Sequence, residues 1–418
     1  MKRIVLFIFI TTFCLSLHGQ QTVYSGAFHP ERLARIDRVV QSYIDSNWIV
    51  GALGLVMKDG KPAYFKAFGM DNKAEGKPMR KDAIFRIASQ TKAITSTAVM
   101  MLWEEGKFLL DDPISKYIPS FASPQLLDKF NEKDSSYTTV PAKREITVRD
   151  LLTHTSGLGY AQIGSKKMQA IYAKAGIQAG FSGRKQLLAE AVNKLGTLPL
   201  EYNPGERFNY SLSIDVLGRL VEVASGMNLD RFFAERIFAP LGMTDTYFHL
   251  PENKTGRLVT AYTESPSNHE PMKWLDNTFP GSSIDYPVNN NGYFAGGSGL
   301  VSTITDYAAF LQLFINQGNY NGKQLLARHT VDVMTRNQIG DLSLGDDKFG
   351  LGFQLTTEKG SGKLGLSPGS LSWGGFFATS YWADPKEKIS GLLFIQQWPF
   401  KHSELSDKYK VLVYQALK

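Results

Sequence analysis

The first hundred residues alternate between helical and strand-like patterns of apolar positions. Residues 30–48 carry apolar side chains at intervals of three and four, which predicts an amphipathic helix. Residues 51–57 and 63–67 are short apolar runs joined by Lys58-Asp59-Gly60-Lys61, and an Asp-Gly pair between two such runs predicts a β-hairpin. Residues 88–103 return to helical spacing. The N-terminal part is therefore predicted to form a helix, a hairpin and a second helix.

Helical patterns dominate the middle of the chain up to about residue 290, with a clear helix over residues 214–224. Residues 123–144 are mostly polar, and we interpret them as a loop or an insertion. Strand patterns return over residues 376–382 and 388–396, around an Asp-Pro-Lys-Glu turn. A helix over residues 404–417 is expected to close the chain.

Strand patterns at both ends, with helices between them, predict an α/β fold of the α+β type. We expect one antiparallel β-sheet built from both chain ends and flanked by helices, with an inserted, mostly helical lobe. The sheet lobe would comprise about residues 21–90 and 291–418, and the helical lobe about residues 91–290. A cleft between two such lobes is the expected place for a functional site.

Residues 1–20 have the pattern of a secretory signal peptide, which leaves residues 21–418 as one mature domain. Lys2 and Arg3 precede an apolar run that is too short for a stable membrane span. Cys14 is the only cysteine and lies in this segment, so no disulfide is expected after cleavage. Phe13 makes a lipoprotein site at Cys14 a poor alternative. We expect a periplasmic or secreted bacterial protein without a stable membrane span.

Composition and charge narrow the possible functions. Hydrophobic residues make up 43% and charged residues 20% of the chain, as in ordinary globular proteins. The 46 Lys and Arg residues are scattered without a basic block between aromatics, so no nucleic-acid partner is predicted. The seven histidines show no paired spacing, and Gly296-Gly297-Ser298-Gly299 lacks the lysine of a phosphate-binding loop. We therefore predict no metal site and no cofactor.

Ser89 and Lys92 stand at the start of the apolar helix of residues 88–103. A spacing of three places both on one helix face, and partial burial is expected to push Lys92 toward its neutral amine. Such an amine could take the proton of the Ser89 hydroxyl, and the helix N-terminus would favour the developing negative charge. An N-cap serine with a solvated lysine is the simpler alternative. A second Ser-x-x-Lys, from Ser182 to Lys185, lies in a polar stretch.

Two further segments could complete a site. Tyr210 follows a Pro-Gly turn and precedes a predicted helix, so its hydroxyl could reach a cleft and shuttle protons, although most tyrosines only pack. Ser372-Trp373-Gly374-Gly375-Phe376 precedes a predicted strand, and its glycines allow a ligand close to the backbone. Backbone N–H groups of Ser89 and Phe376 could form an oxyanion hole. A β-bulge with a packed tryptophan is the alternative.

The three segments match, in order and approximate spacing, the penicillin-recognising serine hydrolases. From about residue 30 to its end, the chain resembles the class C β-lactamase-like and penicillin-binding-protein-like superfamily, and it is most similar to the family VIII carboxylesterases. The order of several short strings supports this resemblance: residues 110–113 (LDDP), 146–158 (ITVRDLLTHTSGL), 199–210 (PLEYNPGERFNY), 240–243 (PLGM) and 295–303 (AGGSGLVST).

The resemblance implies a β-lactamase/transpeptidase-like fold and specific residue roles. Ser89 would be the acylated nucleophile, Lys92 its base, and Tyr210 the relay that protonates the leaving group and later activates water. Ser89 and Phe376 would supply the oxyanion hole, and His154 would be structural. The positions implied to contact substrate are Trp373, Gly374, Gly375 and Leu212.

Two positions depart from the β-lactamase pattern. Leu212 stands where those enzymes have an asparagine for the substrate's amide, and Trp373 replaces a lysine or histidine near its carboxylate. Both changes favour neutral or apolar acyl compounds. The sequence therefore predicts an exported serine hydrolase that acts on carboxylic esters. β-Lactamase, D-Ala-D-Ala carboxypeptidase or D-aminopeptidase activity is the alternative, so a small ester, a β-lactam or a peptide is the expected substrate.

Other interpretations are weaker. Gly365-Leu366-Ser367-Pro368-Gly369 fits a nucleophile elbow, but no helix is predicted after it and Pro368 would sit inside the sharp turn. A non-catalytic binder of cell-wall ligands is a remoter alternative, because such a protein has no use for Ser89, Lys92 and Tyr210 together. The sequence contains no indication of the oligomeric state.

Overall fold

The computed structural model describes residues 26–418 apart from residues 179, 182, 269, 275–282, 290 and 291. The predicted signal peptide and Ser182, which begins the second Ser-x-x-Lys string, lie outside the described residues.

The N-terminal part forms helices α1 (Pro30–Leu33) and α2 (Arg35–Asp45) and strands β1 (Gly51–Lys58), β2 (Lys61–Asn72) and β3 (Lys77–Pro78). The predicted helix is confirmed, with a break at Ala34 and an end at Asp45. The predicted hairpin is also confirmed. Its turn residues Asp59 and Gly60 have φ angles of 50° and 75°, which suits a two-residue turn between twisted strands.

The middle of the chain is mainly helical. Its strands and helices are β4 (Ile84–Arg86), α3 (Thr91–Glu104), β5 (Gln125–Phe130), β6 (Tyr137–Pro141), α4 (Val148–Leu152), α5 (Lys166–Ala175), α6 (Leu188–Leu195), α7 (Ser213–Ser225), α8 (Leu229–Phe233), α9 (Ala239–Leu241), β7 (Tyr262–Glu264) and β8 (Pro271–Lys273). Short 3₁₀ turns lie at Ala88–Gln90, Ile114–Lys116, Pro119–Phe121 and Glu252–Arg257, and a π-helical turn at Ala234–Phe238.

Residues 123–144 contain the antiparallel hairpin β5–β6, so of the two interpretations of this segment, a loop or an insertion, the loop is wrong. Strand β6 is exposed along its whole length, and its sequence therefore lacks the alternation that marks a half-buried strand. Backbone hydrogen bonds hold the hairpin to the rest of the molecule. The Leu127 N–H donates to the Leu200 carbonyl, and the Leu200 N–H donates to the Gln125 carbonyl.

The C-terminal part contains the remaining elements: β9 (Val301–Thr303), α10 (Ile304–Ile315), β10 (Asn319–Tyr320), β11 (Lys323–Gln324), α11 (Arg328–Met334), β12 (Lys348–Phe349), β13 (Gln354–Leu355), α12 (Glu358–Leu364), β14 (Leu371–Gly374), β15 (Ser380–Asp384), β16 (Ile389–Phe394) and α13 (Glu404–Gln415). The predicted strand over 376–382 begins only at Ser380. Trp373 and Gly374 belong to the preceding strand, β14. The Gly375 N–H then donates to the Thr379 carbonyl and closes a tight turn between β14 and β15.

Eight strands form the central antiparallel sheet in the order β12-β13-β14-β15-β16-β1-β2-β3. Strand β1 from the N-terminal part pairs with β16 from the C-terminal part, with Leu55 opposite Leu392. The predicted sheet built from both chain ends, with helices inserted between them, is therefore confirmed. The predicted boundaries of the two lobes remain a prediction.

Helices cover both faces of this sheet. Leu53 and Leu55 of β1 face the large core that contains α3 and α10, whereas Ala52 and Val56 face a second core with α2 and α13. Burial on both faces explains why β1 is a continuous apolar run instead of an alternating one. Among the residues that the structure describes, no helix has the length and apolarity needed to cross a membrane.

Candidate active site

Ser89 lies on the 3₁₀ turn Ala88–Gln90, which leads directly into α3. Strand β4 pairs with β9 just before this turn, so the turn is anchored to the body of the protein. Ala88 has a φ of 46°, an uncommon value for a residue with a side chain. Lys92 follows in the first turn of α3, and only 2% of its surface is exposed.

The structure brings the three predicted catalytic side chains together. The Tyr210 hydroxyl donates a hydrogen bond to Ser89 Oγ at 2.7 Å. Lys92 Nζ lies 3.3 Å from the same oxygen and donates to the Gly297 carbonyl at 2.7 Å. The hydroxyl that would act as nucleophile is thus within hydrogen-bond reach of two groups that can exchange protons with it.

His154 and its neighbours hold Tyr210 in position. The Asn209 N–H donates to the His154 carbonyl at 2.7 Å, and the Ser211 N–H donates to His154 Nδ1 at 3.3 Å. The Tyr160 ring stacks on the Tyr210 ring with centroids 5.5 Å apart. Burial, together with the charge of Lys92, lowers the pKa of His154 well below its usual value. A neutral imidazole that binds backbone groups fits the structural role implied for His154.

The charge on Lys92 differs from the sequence-based expectation. Burial lowers the pKa of Lys92, but attraction to Tyr160, Tyr210 and Asp215, together with a hydrogen bond to Tyr210, raises it overall. The expectation that burial would favour the neutral amine is therefore wrong. It considered only the loss of hydration, whereas the fold places acidic groups and a carbonyl around the ammonium.

Ser89 and Tyr210 line a cavity of about 490 Å³. Besides Tyr210, four aromatic side chains line it together with several serines and glutamines: Tyr160, Phe181, Trp373 and Phe376. The Trp373 ring lies 5.6 Å from the Tyr210 ring and 5.4 Å from the Phe349 ring, so its position is fixed by packing. The cavity can therefore hold a sizeable apolar group next to the reactive hydroxyl.

The end of β14 passes very close to the turn that carries Ser89. A Cβ on Gly375 would come within 2.5 Å of the Ile87 carbonyl oxygen, so only glycine permits this approach. Trp373, Gly374 and Gly375, three of the positions implied to contact substrate, line the cavity, and so does Phe376. The assignment of the Ser89 and Phe376 N–H groups to an oxyanion hole stays a prediction, with Phe376 in the turn after β14 and not on a strand.

Leu212 does not reach the cavity. It is 2% exposed and packs in the main core, and its N–H donates to the Gly159 carbonyl. The predicted contact of Leu212 with substrate is therefore wrong in this structure. Leu212 can affect substrate choice only because it lacks the side-chain amide that an asparagine would offer at this position.

Three residues of the site were missed in the sequence. Tyr160 stacks on Tyr210, the Gly297 carbonyl accepts a hydrogen bond from Lys92, and the Asp215 carboxylate accepts the Gly297 N–H at 3.3 Å. Gly297 lies in the family string of residues 295–303, but nothing in its local pattern connects it with Lys92, and Tyr160 and Asp215 lie outside the family strings. The nearness of these three residues to the Ser-x-x-Lys motif is a tertiary property.

Ser367 lies away from the catalytic group. Its N–H donates to Asp384 Oδ2, it lies in the loop between α12 and β14, and it does not line the cavity. Within the described part of the chain, no group of three or more His, Cys, Asp or Glu side chains is arranged to hold a metal ion.

Comparisons with known proteins agree with this geometry. A family model described as Beta-lactamase matches residues 36–416. Esterase EstB from Burkholderia gladioli is 30% identical over 374 residues, which cover 86% of this chain and 89% of the esterase. A putative D-alanyl-D-alanine carboxypeptidase from Escherichia coli K12 is 28% identical, over 98% of this chain and 93% of the relative.

A solved structure has the same architecture. EstCE1, a hydrolase with promiscuous acyltransferase activity, superposes with a TM-score of 0.77 at 26% sequence identity, over 92% of this chain and 99% of EstCE1. The fold, the match over nearly the whole described chain and the Ser89–Lys92–Tyr210 group lead to one assignment. The chain belongs to the beta-lactamase family and is a serine hydrolase of the β-lactamase/transpeptidase-like type.

Proposed function

We propose that the protein hydrolyses small carboxylic esters through an acyl-enzyme at Ser89. The observation that carries this proposal is the position of Ser89 Oγ, 2.7 Å from the Tyr210 hydroxyl and 3.3 Å from Lys92 Nζ, at the wall of an aromatic cavity. A nucleophile that touches a proton acceptor beside a substrate-sized cavity is the arrangement that acyl transfer needs.

The proposed reaction has two steps. Ser89 Oγ attacks the ester carbonyl, and the Ser89 proton passes to the Tyr210 oxygen in molecules whose Tyr210–Lys92 pair has lost one proton. The same proton then passes to the alkoxide, the alcohol leaves, and the acyl group stays on Ser89. In the second step the Tyr210–Lys92 pair takes a proton from a water molecule, and the water oxygen attacks the acyl carbonyl. The bond between the acyl carbon and Ser89 Oγ then breaks, the carboxylic acid leaves, and the proton returns to Ser89.

Lys92 assists this reaction through its charge. Its ammonium lies 4.7 Å from the centre of the Tyr210 ring and is almost fully buried. In such a site a positive charge stabilises the negative charge that develops on the reacting oxygens and so supports proton removal from Ser89. This role differs from that of a neutral amine base and follows from the surroundings of Lys92.

The cavity supports esters over anionic substrates. Trp373 supplies an apolar wall next to Ser89, at a position where a lysine would have attracted a carboxylate. An ester is also easier to cleave than an amide, because its alkoxide leaves with less assistance from an acid. The likeness to Esterase EstB and to EstCE1 is in line with this preference.

Parallel assays test this proposal. Purified protein is given p-nitrophenyl acetate, p-nitrophenyl butyrate and the β-lactam nitrocefin, beside a Ser89→Ala variant. We expect ester hydrolysis to exceed nitrocefin hydrolysis in kcat/KM, and Ser89→Ala to lower ester turnover by about 10⁴-fold or more. A fluorophosphonate probe should label the wild type and leave Ser89→Ala unlabelled.

Three results would overturn the proposal. Nitrocefin turnover well above ester turnover would reverse the substrate preference. Ester turnover that persists in Ser89→Ala but disappears in Ser367→Ala would move the nucleophile to the loop before β14. A folded wild type that neither turns over esters nor takes up the probe would favour the non-catalytic binder.

A peptidase or β-lactamase activity is the second candidate. Lys410 of α13, which pairs with Asp407 at 3.0 Å, is the only lysine or arginine among the described residues that line the cavity, and it could attract a substrate carboxylate. The E. coli relative carries a carboxypeptidase name, which is consistent with this alternative. Release of D-alanine from a D-Ala-D-Ala peptide at a rate above that of ester cleavage would favour it.

We also propose that the protein is exported to a bacterial periplasm or secreted, with residues 1–20 removed. The basis is the Lys-Arg start and the apolar run of residues 4–17. Expression of the full chain in a Gram-negative host, followed by N-terminal sequencing of the periplasmic product, tests this. We expect a mature N-terminus between residues 19 and 22, and a cytoplasmic product that begins at residue 1 or 2 would contradict the proposal.

A further inference from the structure

A buried carboxylate lies behind the catalytic lysine. Asp215 is in the first turn of α7, and only 3% of its surface is exposed. One of its oxygens accepts the Gly297 N–H at 3.3 Å, and the other has no hydrogen-bond partner among the described residues. Burial of an ionisable group with an unpaired oxygen is costly, so its retention calls for a compensating interaction.

Gly297 connects this carboxylate with Lys92. The N–H of Gly297 faces Asp215, and its carbonyl accepts a hydrogen bond from Lys92 Nζ at 2.7 Å. A Cβ on Gly297 would lie 2.5 Å from the second Asp215 oxygen, so a larger residue would push the carboxylate away. A lysine ammonium and a carboxyl group therefore lie on the two sides of one glycine, and both side chains are almost fully buried.

The other ionisable groups near this pair are aromatic or neutral. Tyr160 and Tyr210 face Lys92, Tyr293 faces Asp215, and the neutral His154 lies close to Lys92. Asp215 raises the pKa of Lys92, and Lys92 in turn opposes the effect of burial, which raises the pKa of Asp215. Of the described groups that act most strongly on the pKa of Lys92, Asp215 is the one carboxylate.

We propose that Asp215 is a positioning residue for the reaction: its buried carboxylate, acting across Gly297, keeps Lys92 charged and held toward Ser89 and Tyr210. This inference rests on the proposed acyl-enzyme chemistry. As a consequence, Asp215 determines the pH range in which the Tyr210–Lys92 pair loses one proton. The pair can accept the Ser89 proton only after this loss.

Asp215→Asn tests the proposal, because it removes the charge and leaves an oxygen that can accept the Gly297 N–H. Loss of a nearby negative charge destabilises the ammonium of Lys92, so the pair loses its proton at lower pH. We expect the acidic limb of the pH profile of kcat/KM for p-nitrophenyl butyrate to move down by about one pH unit. At a fixed pH on this limb, the gain in rate from the shift should be partly offset, because a less basic pair is a weaker proton acceptor.

Asp306→Asn is the matched control. Asp306 is also a buried carboxylate in the first turn of a helix, and burial raises its pKa, but its partners are Asp245 and Thr246. The Asp306→Asn variant should be less stable than the wild type, but its pH profile of kcat/KM should not move. Gly297→Ala provides a second route, since its Cβ displaces the Asp215 carboxylate, and it should move the profile in the same direction as Asp215→Asn.

The rate of fluorophosphonate labelling of Ser89, measured against pH, separates this inference from the proposed function. If the wild type labels but cleaves no ester, the ester proposal fails while the labelling profile still reports on Asp215. An unchanged profile in folded Asp215→Asn, or an equal shift in Asp306→Asn, would overturn the inference. Thermal unfolding of each variant shows whether it is folded.

Discussion

At the scale of single residues, the chemistry depends on how two opposing effects act on Lys92. Its near-complete burial removes hydration from the ammonium, while the Gly297 carbonyl and the acidic groups around it replace that hydration. The second effect is larger, so the pKa of Lys92 is raised. Lys92 therefore holds its proton at neutral pH, and the form of the site that can accept the Ser89 proton becomes more abundant as the pH rises.

A rise of activity with pH follows from this state. Since the pKa of Lys92 is raised, the form of the site that has lost one proton is the minor form at neutral pH. Well below the pKa for this loss, the fraction of that form increases about tenfold for each unit by which the pH rises. We expect kcat/KM for p-nitrophenyl butyrate to increase steadily between about pH 6 and pH 9. An activity that falls over this range in folded protein would contradict the assignment of charge.

Removal of a single oxygen tests Tyr210. Tyr210→Phe keeps the ring that packs on Tyr160 and Trp373 but removes the group that contacts Ser89 Oγ. We expect kcat to fall by about 10²–10⁴-fold with little change in KM, because general acid–base assistance is lost. Tyr160→Phe is the control, since it removes a neighbouring hydroxyl and should cost much less; equal losses in the two variants would argue against a special role for Tyr210.

At the scale of elements, strand β14 and the 3₁₀ turn at Ala88–Gln90 form the two sides of the reactive site. Gly375 allows their close approach, and Trp373 presents its ring to the cavity. Strand β13 pairs with β14 only at Leu371 and Ser372, so Trp373 and Gly374 have no strand partner on the β13 side. The end of β14 can therefore contact a substrate with both its backbone and its indole.

Trp373→Lys tests the contribution of this strand to substrate choice. A cation beside Ser89 should attract a substrate carboxylate and remove an apolar wall. We expect the ratio of kcat/KM for a p-nitrophenyl hemisuccinate to that for p-nitrophenyl butyrate to rise by about tenfold, equivalent to roughly 1.4 kcal/mol.

The control for this change is Trp373→Gln, which removes the indole without adding charge. It should weaken turnover of both esters and leave their ratio close to that of the wild type. A similar ratio in the lysine and glutamine variants would show that charge at this position does not govern preference.

At the scale of the whole molecule, the two ends of the chain build the platform on which the site stands. Strands β16 and β1 pair directly, and α2 and α13 cover one face of the sheet with side chains such as Tyr43 and Tyr409. The other face carries α3, so the turn with Ser89 rests on the same sheet that contributes β14. Nucleophile and cavity wall thus keep their relative position because both belong to one packed core.

The sequence by itself predicted most of the local elements and the candidate reactive residues. The apolar spacing of residues 30–48 and the Asp59-Gly60 turn specify their structures through short-range interactions, and the order of motifs with Ser89, Lys92 and Tyr210 indicated the family. The hairpin β5–β6 escaped prediction because its exposed strand has no apolar pattern.

Only the tertiary structure decided the charge of Lys92, the exclusion of Leu212 from the cavity and the participation of Asp215. Each depends on groups far apart in the chain: Lys92 meets Gly297, and Gly297 meets Asp215, across more than eighty positions in each case. A local pattern shows that a residue is apolar or ionisable. Its protonation and its access to substrate depend on which distant groups the fold brings against it.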